Sequence, residues 1–144
     1  IRLSLVGSEM CIRDRAYWPG DAYVDYVGIS IYATPEWTWG LAPTGELLSF
    51  RDLIEHKYWP VAKFNKPMIL TEVGVNANEV DKQQWLDDSV TMLSEFPAIK
   101  AWVYFNQVQP PIVPLDIGVP QWQLNRTQAE RLVHKWQKQT KIHP

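Results

Sequence analysis

The sequence has no long hydrophobic segment and no cluster of basic residues. A membrane-spanning helix needs about 18 to 20 consecutive apolar residues, and no segment approaches that length. With 14 basic and 16 acidic residues among 144, the formal charge is −2, and no run of lysine or arginine indicates a phosphate-binding surface. The composition therefore argues against a membrane span and against a nucleic acid partner.

Cysteine is nearly absent, because Cys11 is the only one. It lies in the segment LVGSEMCIRDR, Leu5 to Arg15, which resembles the translation of a transposase adapter used in sequencing libraries. Segments that come from such processing are excluded from fold reasoning. We therefore expect residues 1–15 to be adapter-derived and the natural amino terminus to lie further upstream. Cys11 then says nothing about disulfides or redox compartment.

Tryptophan is abundant, with eight residues, and six tyrosines accompany it. These large side chains could fill a core or line a groove for flat ligands such as sugars. The chain is 46% hydrophobic and has the length of about one domain, so it can bury a core of its own. Composition alone leaves the role of the aromatic residues open.

Apolar periodicity predicts three strands that alternate with three helices. This order favours a parallel sheet covered by helices, which occurs both in TIM (β/α)8 barrels and in open doubly wound sheets. The glycine-rich fingerprint that follows a strand in nucleotide-binding sheets is missing. The strands are expected at 23–32, 66–75 and 99–106, and the helices at 49–64, 80–96 and 127–139, with caps at Ser49, Asp81 and Thr127 and an interruption at Pro60.

Polar residues end all three predicted strands: Tyr32, Glu72 and Asn106. Catalytic residues of barrel enzymes lie at the carboxyl ends of strands, where a carboxylate can act as nucleophile or proton carrier. An ion pair or a helix cap explains Glu72 equally well, and Gly74 is expected to permit the turn out of the strand. Alternation from Glu72 places Met68, Leu70, Trp102 and Tyr104 on the same inward face.

The segments YWPGDAYVDYVGISIY, KPMILTEVGV and FPAIKAWVYFN together resemble the last three strands of glycoside hydrolase family 26, the β-mannanase family, and its clan of retaining (β/α)8 hydrolases. The likeness runs from about Tyr17 to Trp136. The closing FNQVQPP and GVPQWQL segments are similar to members found with bacterial exopolysaccharide synthesis enzymes. The resemblance implies an α/β fold, a partial TIM (β/α)8 barrel of about strands 6–8 with their helices, with residues 16–144 as the C-terminal part of one catalytic barrel.

The resemblance implies a retaining hydrolase of a β-linked polysaccharide such as β-mannan or a bacterial exopolysaccharide. Glu72 falls on the family's nucleophile, and Tyr32 falls on the tyrosine that hydrogen-bonds it. The acid/base glutamate belongs to strand four, so we expect the chain to lack the N-terminal half of the barrel and to be inactive alone. A secreted or cell-envelope location is also implied. The alternative is a non-catalytic glycan-binding barrel accessory to exopolysaccharide synthesis or export.

Further candidates for substrate binding lie in the loops and at the strand ends. Trp37 and Trp39 could stack on sugar rings or fold over their own loop, and Trp122 could form a platform or pack against the barrel. Tyr104 could contact substrate, although core filling is also consistent with its position. Asn106 could bind a sugar hydroxyl or serve a turn.

The remaining polar residues are assigned structural roles. Asp87 and Asp88 on the second helix are predicted to form a solvated face. The three histidines lie on helices or in the tail, without a second ligand at metal spacing. We therefore predict no metal and no other cofactor.

Overall fold

The computed structural model describes residues 18–35, 45–108 and 120–142, with side chains as far as residue 139. Within these ranges the protein is a mixed α/β structure with a parallel sheet in the order β1-β2-β3, compatible with a fragment of an α/β barrel. The strands are β1 (Val27–Ala33), β2 (Met68–Val75) and β3 (Ile99–Tyr104), and the helices are α1 (Phe50–Ala62), α2 (Glu79–Met92) and α3 (Arg126–Ile142).

Helix α1 begins at the predicted cap. The Ser49 hydroxyl accepts a hydrogen bond from the backbone N–H of Asp52, and the Asp52 carboxylate accepts one from the backbone N–H of Ser49. This reciprocal arrangement satisfies two backbone donors that a helix start leaves without partners. Pro60 lies inside the last turn of α1, and the helix continues to Ala62.

Helices α2 and α3 each begin one residue earlier than predicted, and their caps are asparagines that lie three and two residues before the predicted ones. The Asn78 side chain accepts the backbone N–H of Asp81 at 3.0 Å, so the assignment of Asp81 as the cap is wrong. The Asn125 side chain accepts the backbone N–H of Gln128 at 2.9 Å, and Gln128 accepts that of Asn125 at 3.0 Å. This pair replaces the predicted Thr127 capping box, because asparagine caps at least as well as threonine.

The helices cover one face of the sheet, where the hydrophobic core lies. Trp102 belongs to this core, because its ring stacks on Phe50 and meets Trp136 edge to face, each at a centroid distance of 6.2 Å. The other face of the sheet carries exposed side chains such as Glu72 and Val103. The strand residues of the core are Ile29, Ile31, Ala33, Met68, Leu70, Val73 and Val75.

Strand β2 contains a β-bulge directly before Glu72. Ile29 of β1 pairs with Leu70, whereas the next residue, Ser30, pairs with Glu72, so Thr71 is an extra residue on β2. The register of β2 with β3 shifts in the same stretch. A bulge adds one residue to a strand and so interrupts the alternation of side chains between its two faces.

The bulge overturns the predicted assignment of faces. Met68, Leu70 and Val73 are all fully buried in the core beneath the helices, while Glu72 is exposed on the opposite face. Trp102 and Tyr104 also pack against the core rather than share the face of Glu72. Alternation by two from Glu72 is therefore wrong for the residues that precede it in β2, because the extra residue Thr71 moves Leu70 and Met68 to the opposite face from Glu72.

Asp87 is buried, which corrects its assignment to a solvated helix face, whereas Asp88 is exposed as predicted. The Asp87 carboxylate accepts hydrogen bonds from Arg131 of α3 and from Gln83 of its own helix. Lys135 lies 3.7 Å from the same carboxylate and donates to the Asp87 carbonyl at 2.6 Å. Asp87 therefore links α3 to α2 through two basic residues.

Candidate active site

Glu72 lies at the bulge of β2 on the face of the sheet that the helices do not cover. The extra residue, Thr71, is held by side-chain contacts: its hydroxyl donates to the Ile29 carbonyl at 3.3 Å and lies 3.2 Å from the Ser30 hydroxyl. Bulges next to functional sites re-aim a side chain. Here the bulge turns the carboxylate of Glu72 away from the core.

Tyr32 donates a hydrogen bond from its Oη atom to Oε2 of Glu72 at 2.9 Å. This confirms the predicted contact between the two strand-end side chains. Burial raises the pKa of Tyr32 well above its ordinary value, and the hydrogen bond to Glu72 and the charge of that carboxylate raise the pKa further. The raised pKa favours the protonated hydroxyl, which donates to one oxygen of Glu72.

The two structural explanations of Glu72 find no support in its surroundings. Among residues 18–35, 45–108 and 120–139, no basic side chain lies within 4.0 Å of the Glu72 carboxylate as an ion-pair partner. The following helix is capped by Asn78, so Glu72 does not cap it. Among the described residues, its hydrogen bond is with the neutral hydroxyl of Tyr32.

Tyr32 is held on three sides by nonpolar groups. The ring of Trp122 lies 5.1 Å from that of Tyr32, and Phe105 meets Tyr32 edge to face at 5.8 Å. Beneath them is Gly74, where a Cβ atom would lie only 2.9 Å from the Tyr32 ring and 3.0 Å from that of Trp122. Gly74 lies inside β2, so its role is to admit these rings rather than to turn the chain.

The other predicted substrate-binding residues have different environments. Trp122 is 0% exposed and offers no ring face to a sugar. Tyr104 donates to the Trp122 carbonyl at 2.7 Å and accepts from the backbone N–H of Val75 at 3.4 Å. Neither placement supports sugar binding. Trp37 and Trp39 lie outside the described residues.

Asn106 is exposed near the end of β3, and its side chain is occupied. Its Oδ1 atom accepts the backbone N–H of Leu124 at 2.8 Å. The predicted turn role fits this contact better than direct binding of a sugar hydroxyl, although the amide nitrogen remains on an exposed residue. Asn106 therefore binds the backbone just before helix α3, at Leu124.

Residues 120–125, which we call the strap, directly precede helix α3. The strap has no regular secondary structure, so side chains of other elements bind its backbone groups. Asn76 accepts from the N–H of Gln121 at 2.9 Å, and Lys82 donates to the carbonyls of Gln121 and Gln123 at 2.7 and 3.0 Å. These bonds fix the backbone on both sides of Trp122.

Lys82 was not identified from the sequence as a functional or structural residue. It is buried, and burial lowers its pKa while the charge of Glu79 acts in the opposite direction. The sequence does contain a signal for the burial of Lys82, because this residue lies three and four residues before the buried pair Trp85 and Leu86. That spacing puts a lysine on the apolar face of the helix, where it needs acceptors.

Residues 18–35, 45–108 and 120–142 contain neither a candidate membrane span nor a candidate metal-binding cluster. None of the helices there combines the length and the apolar character needed to cross a membrane. No group of three or more histidine, cysteine, aspartate or glutamate side chains there is arranged to hold a metal ion.

No protein-family model matches the sequence. Over 94 residues, or 63% of this chain, the sequence is 27% identical to endoglucanase H of Acetivibrio thermocellus. The similarity is to a glycoside hydrolase. The chain spans only 10% of the length of that protein, and the level of identity indicates a distant glycoside hydrolase relationship.

Proposed function

We propose that the chain is the C-terminal part of a (β/α)8 barrel in a retaining glycoside hydrolase similar to family 26. The observation that carries the proposal is the 2.9 Å hydrogen bond from Tyr32 to Glu72 on the uncovered face of the sheet. Three parallel strands in sequential order, with helices on one face, fit strands 6–8 of such a barrel. The distant similarity to an endoglucanase supports the same class of reaction.

Glu72 acts as the nucleophile in this proposal. Its carboxylate attacks the anomeric carbon and forms a glycosyl ester while the glycosidic C–O bond breaks. The leaving oxygen takes a proton from a second carboxyl group, which then removes a proton from the water that releases the sugar from Glu72. Because Tyr32 occupies Oε2, it orients the carboxylate so that Oε1 is free to attack.

The second carboxyl group is proposed to come from a part of the barrel that these 144 residues do not include. In retaining enzymes the two carboxyl groups stand about 5 to 5.5 Å apart. The other glutamates of the described ranges lie in helices, helix ends or loops and not in the strands. Several of them have hydrogen-bond partners of their own. These partners are Arg51 for Glu55 and Glu95, Asn125 for Glu79, and Arg126 for Glu130.

The substrate class in this proposal is a β-linked polysaccharide. β-Mannan and bacterial exopolysaccharide follow from the sequence resemblance, and the name of the similar protein adds glucans to the candidates. The test starts from the complete gene. The complete protein and its Glu72→Ala variant are assayed for release of reducing ends from these polymers, with Glu95→Ala as a control on an exposed glutamate remote from Tyr32.

Loss of Glu72 should reduce turnover by about 10⁴-fold or more, because the nucleophile acts in both steps. Azide should restore turnover of an activated aryl glycoside in Glu72→Ala and give a product of inverted configuration, whereas Glu95→Ala should behave as wild type. Hydrolysis by Glu72→Ala at the parental rate would refute the assignment. A complete protein that binds glycan without cleaving it would instead support the accessory binding role.

A further inference from the structure

We infer that Trp122 is a positioning residue that holds Tyr32 on the carboxylate of Glu72, an inference that rests on the proposed function of that pair. Trp122 itself is fully buried, so it acts through Tyr32 and does not touch a substrate. Its ring contacts the Tyr32 ring at a centroid distance of 5.1 Å with an interplanar angle of 58°. This contact lies on the side of Tyr32 that faces the strap.

The backbone of Gly74 lies beneath both rings. Tyr32 and Gly74 are paired residues of neighbouring strands, and the absence of a Cβ lets both aromatic rings rest on the Gly74 backbone. Phe105 closes another side of the Tyr32 ring. Because protein interiors are closely packed, the ring cannot tilt without displacing one of these neighbours. The phenol hydroxyl is therefore held at the Glu72 carboxylate.

The strap supplies the rigidity that Trp122 needs. The carbonyl of Trp122 accepts a hydrogen bond from the Tyr104 hydroxyl at 2.7 Å, and the carbonyls of the two residues next to Trp122 accept hydrogen bonds from Lys82. The N–H of Leu124 is bound by Asn106. Helix α2 and the ends of β2 and β3 thus all determine where the Trp122 ring lies. A tryptophan in a flexible loop could not position another side chain in this way.

The inference is tested on the 144-residue chain, without a substrate, by the ionisation of Tyr32. Tyrosine labelled with ¹³C at Cζ gives one NMR signal for each tyrosine, and Tyr32→Phe identifies the signal of Tyr32. Glu72 is the charged group in contact with this hydroxyl among the described residues, and its other neighbours are neutral rings. In the wild type, Tyr32 should stay protonated well above the ordinary tyrosine value of about 10.

Trp122→Ala should lower the midpoint of the Tyr32 titration by about one pH unit or more, because it opens the ring to water and frees the hydroxyl from Glu72. Trp122→Phe should retain most of the wild-type behaviour, since it keeps an aromatic wall. Trp85→Ala is the matched control: Trp85 is also buried, and it packs on Phe50 away from the site. It should lower stability and leave the Tyr32 titration unchanged.

An unchanged Tyr32 titration in folded Trp122→Ala, or an equal change in Trp85→Ala, would overturn the inference. If Trp122→Ala does not fold, Gly74→Ala decides, because its added methyl must push the Tyr32 and Trp122 rings apart. A Tyr32 midpoint that stays at the wild-type value in Gly74→Ala would contradict the inference. The two tests are separate. Hydrolysis by Glu72→Ala would refute the proposed function, whereas the comparison of Tyr32 titrations between wild type and Trp122→Ala would still decide this inference.

Discussion

Replacement of Asp87 by alanine is expected to weaken the attachment of helix α3 to helix α2. The Asp87 side chain is only 10% exposed and binds two basic residues of α3, Arg131 and Lys135. Arg131 reaches both carboxylate oxygens through different nitrogen atoms. Asp88→Ala is a matched control on the next residue, because Asp88 is exposed and its hydrogen-bond donor among the described residues is Gln84 of its own helix.

The size of the effect follows from how the partners are buried. A hydrogen bond to a charged group contributes about 1.5 to 3 kcal/mol, and removal of one partner from a fully buried ion pair costs about 3 to 5 kcal/mol. The higher range does not apply here, because the Arg131 side chain is 59% exposed and can turn to water when Asp87 is lost. We therefore expect Asp87→Ala to lower the free energy of unfolding by about 2 kcal/mol.

Urea unfolding followed by circular dichroism measures this difference. For a chain of this size, about 2 kcal/mol corresponds to a fall of roughly 6 to 8 °C in Tm, whereas Asp88→Ala should stay within about 0.5 kcal/mol of wild type. Equal effects of the two substitutions would refute the reasoning, since they would show that the contact between α2 and α3 does not depend on the Asp87 carboxylate.

Two further predictions concern Tyr104 and the cap of α2. Burial raises the pKa of Tyr104 to about 12, opposed in part by the hydrogen bond from Val75, against about 10 in the unfolded chain. The stability that this shift provides is present below pH 10 and is lost as the pH rises towards 12. The difference in unfolding free energy between wild type and Tyr104→Phe should therefore shrink by roughly 2 kcal/mol between pH 9 and 12, and a constant difference in urea unfolding would contradict this. Asn78→Ala should cost about 1 kcal/mol and Asp81→Ala clearly less, because Asn78 caps the helix. Thermal unfolding of the two variants would reverse that order if Asp81 were the cap.

Much of the fold could be predicted from the sequence, because periodicity and caps are local properties. Strand β2 was predicted at 66–75 and observed at 68–75, and α1 begins at its predicted cap, Ser49. The capping box at Ser49 needs only residues three apart along the chain. At the starts of α2 and α3, an asparagine lies two or three residues before the residue predicted as the cap, and capping propensity alone does not choose between the two.

The strap and its partners could not be predicted in the same way. A proline-rich segment indicates only the absence of regular structure, whereas the bonds that hold this one come from Asn76, Lys82, Tyr104 and Asn106, which lie far from it in sequence. Such contacts depend on the tertiary fold. The buried position of Asp87 was missed for the same reason, because its basic partners lie on another helix.

The error in assigning faces has a more specific cause. The sequence from Leu70 to Val73 puts two polar residues, Thr71 and Glu72, between two fully buried ones. A regular strand cannot bury both ends of a four-residue stretch on one face, because side chains alternate with a period of two. The bulge is what lets Leu70 and Val73 share the core, whereas the sequence alone is equally consistent with a regular strand that buries them on opposite faces.

The contact between Tyr32 and Glu72 was predicted correctly in spite of that error, because it was implied by the family resemblance, which puts Tyr32 on the tyrosine that hydrogen-bonds the nucleophile. The rule that parallel strands bring their carboxyl ends to one edge of the sheet agrees with this contact and does not depend on how each side chain alternates further back. The assignments of Met68 and Leu70 depended on an unbroken alternation through Thr71 and failed there. Those of Trp102 and Tyr104 failed because both side chains of β3 pack against the core. The bulge is also what allows Leu70 and Val73 to remain in the core while Glu72 faces outward. The irregularity that defeated the prediction of faces is therefore the feature that makes the carboxylate accessible.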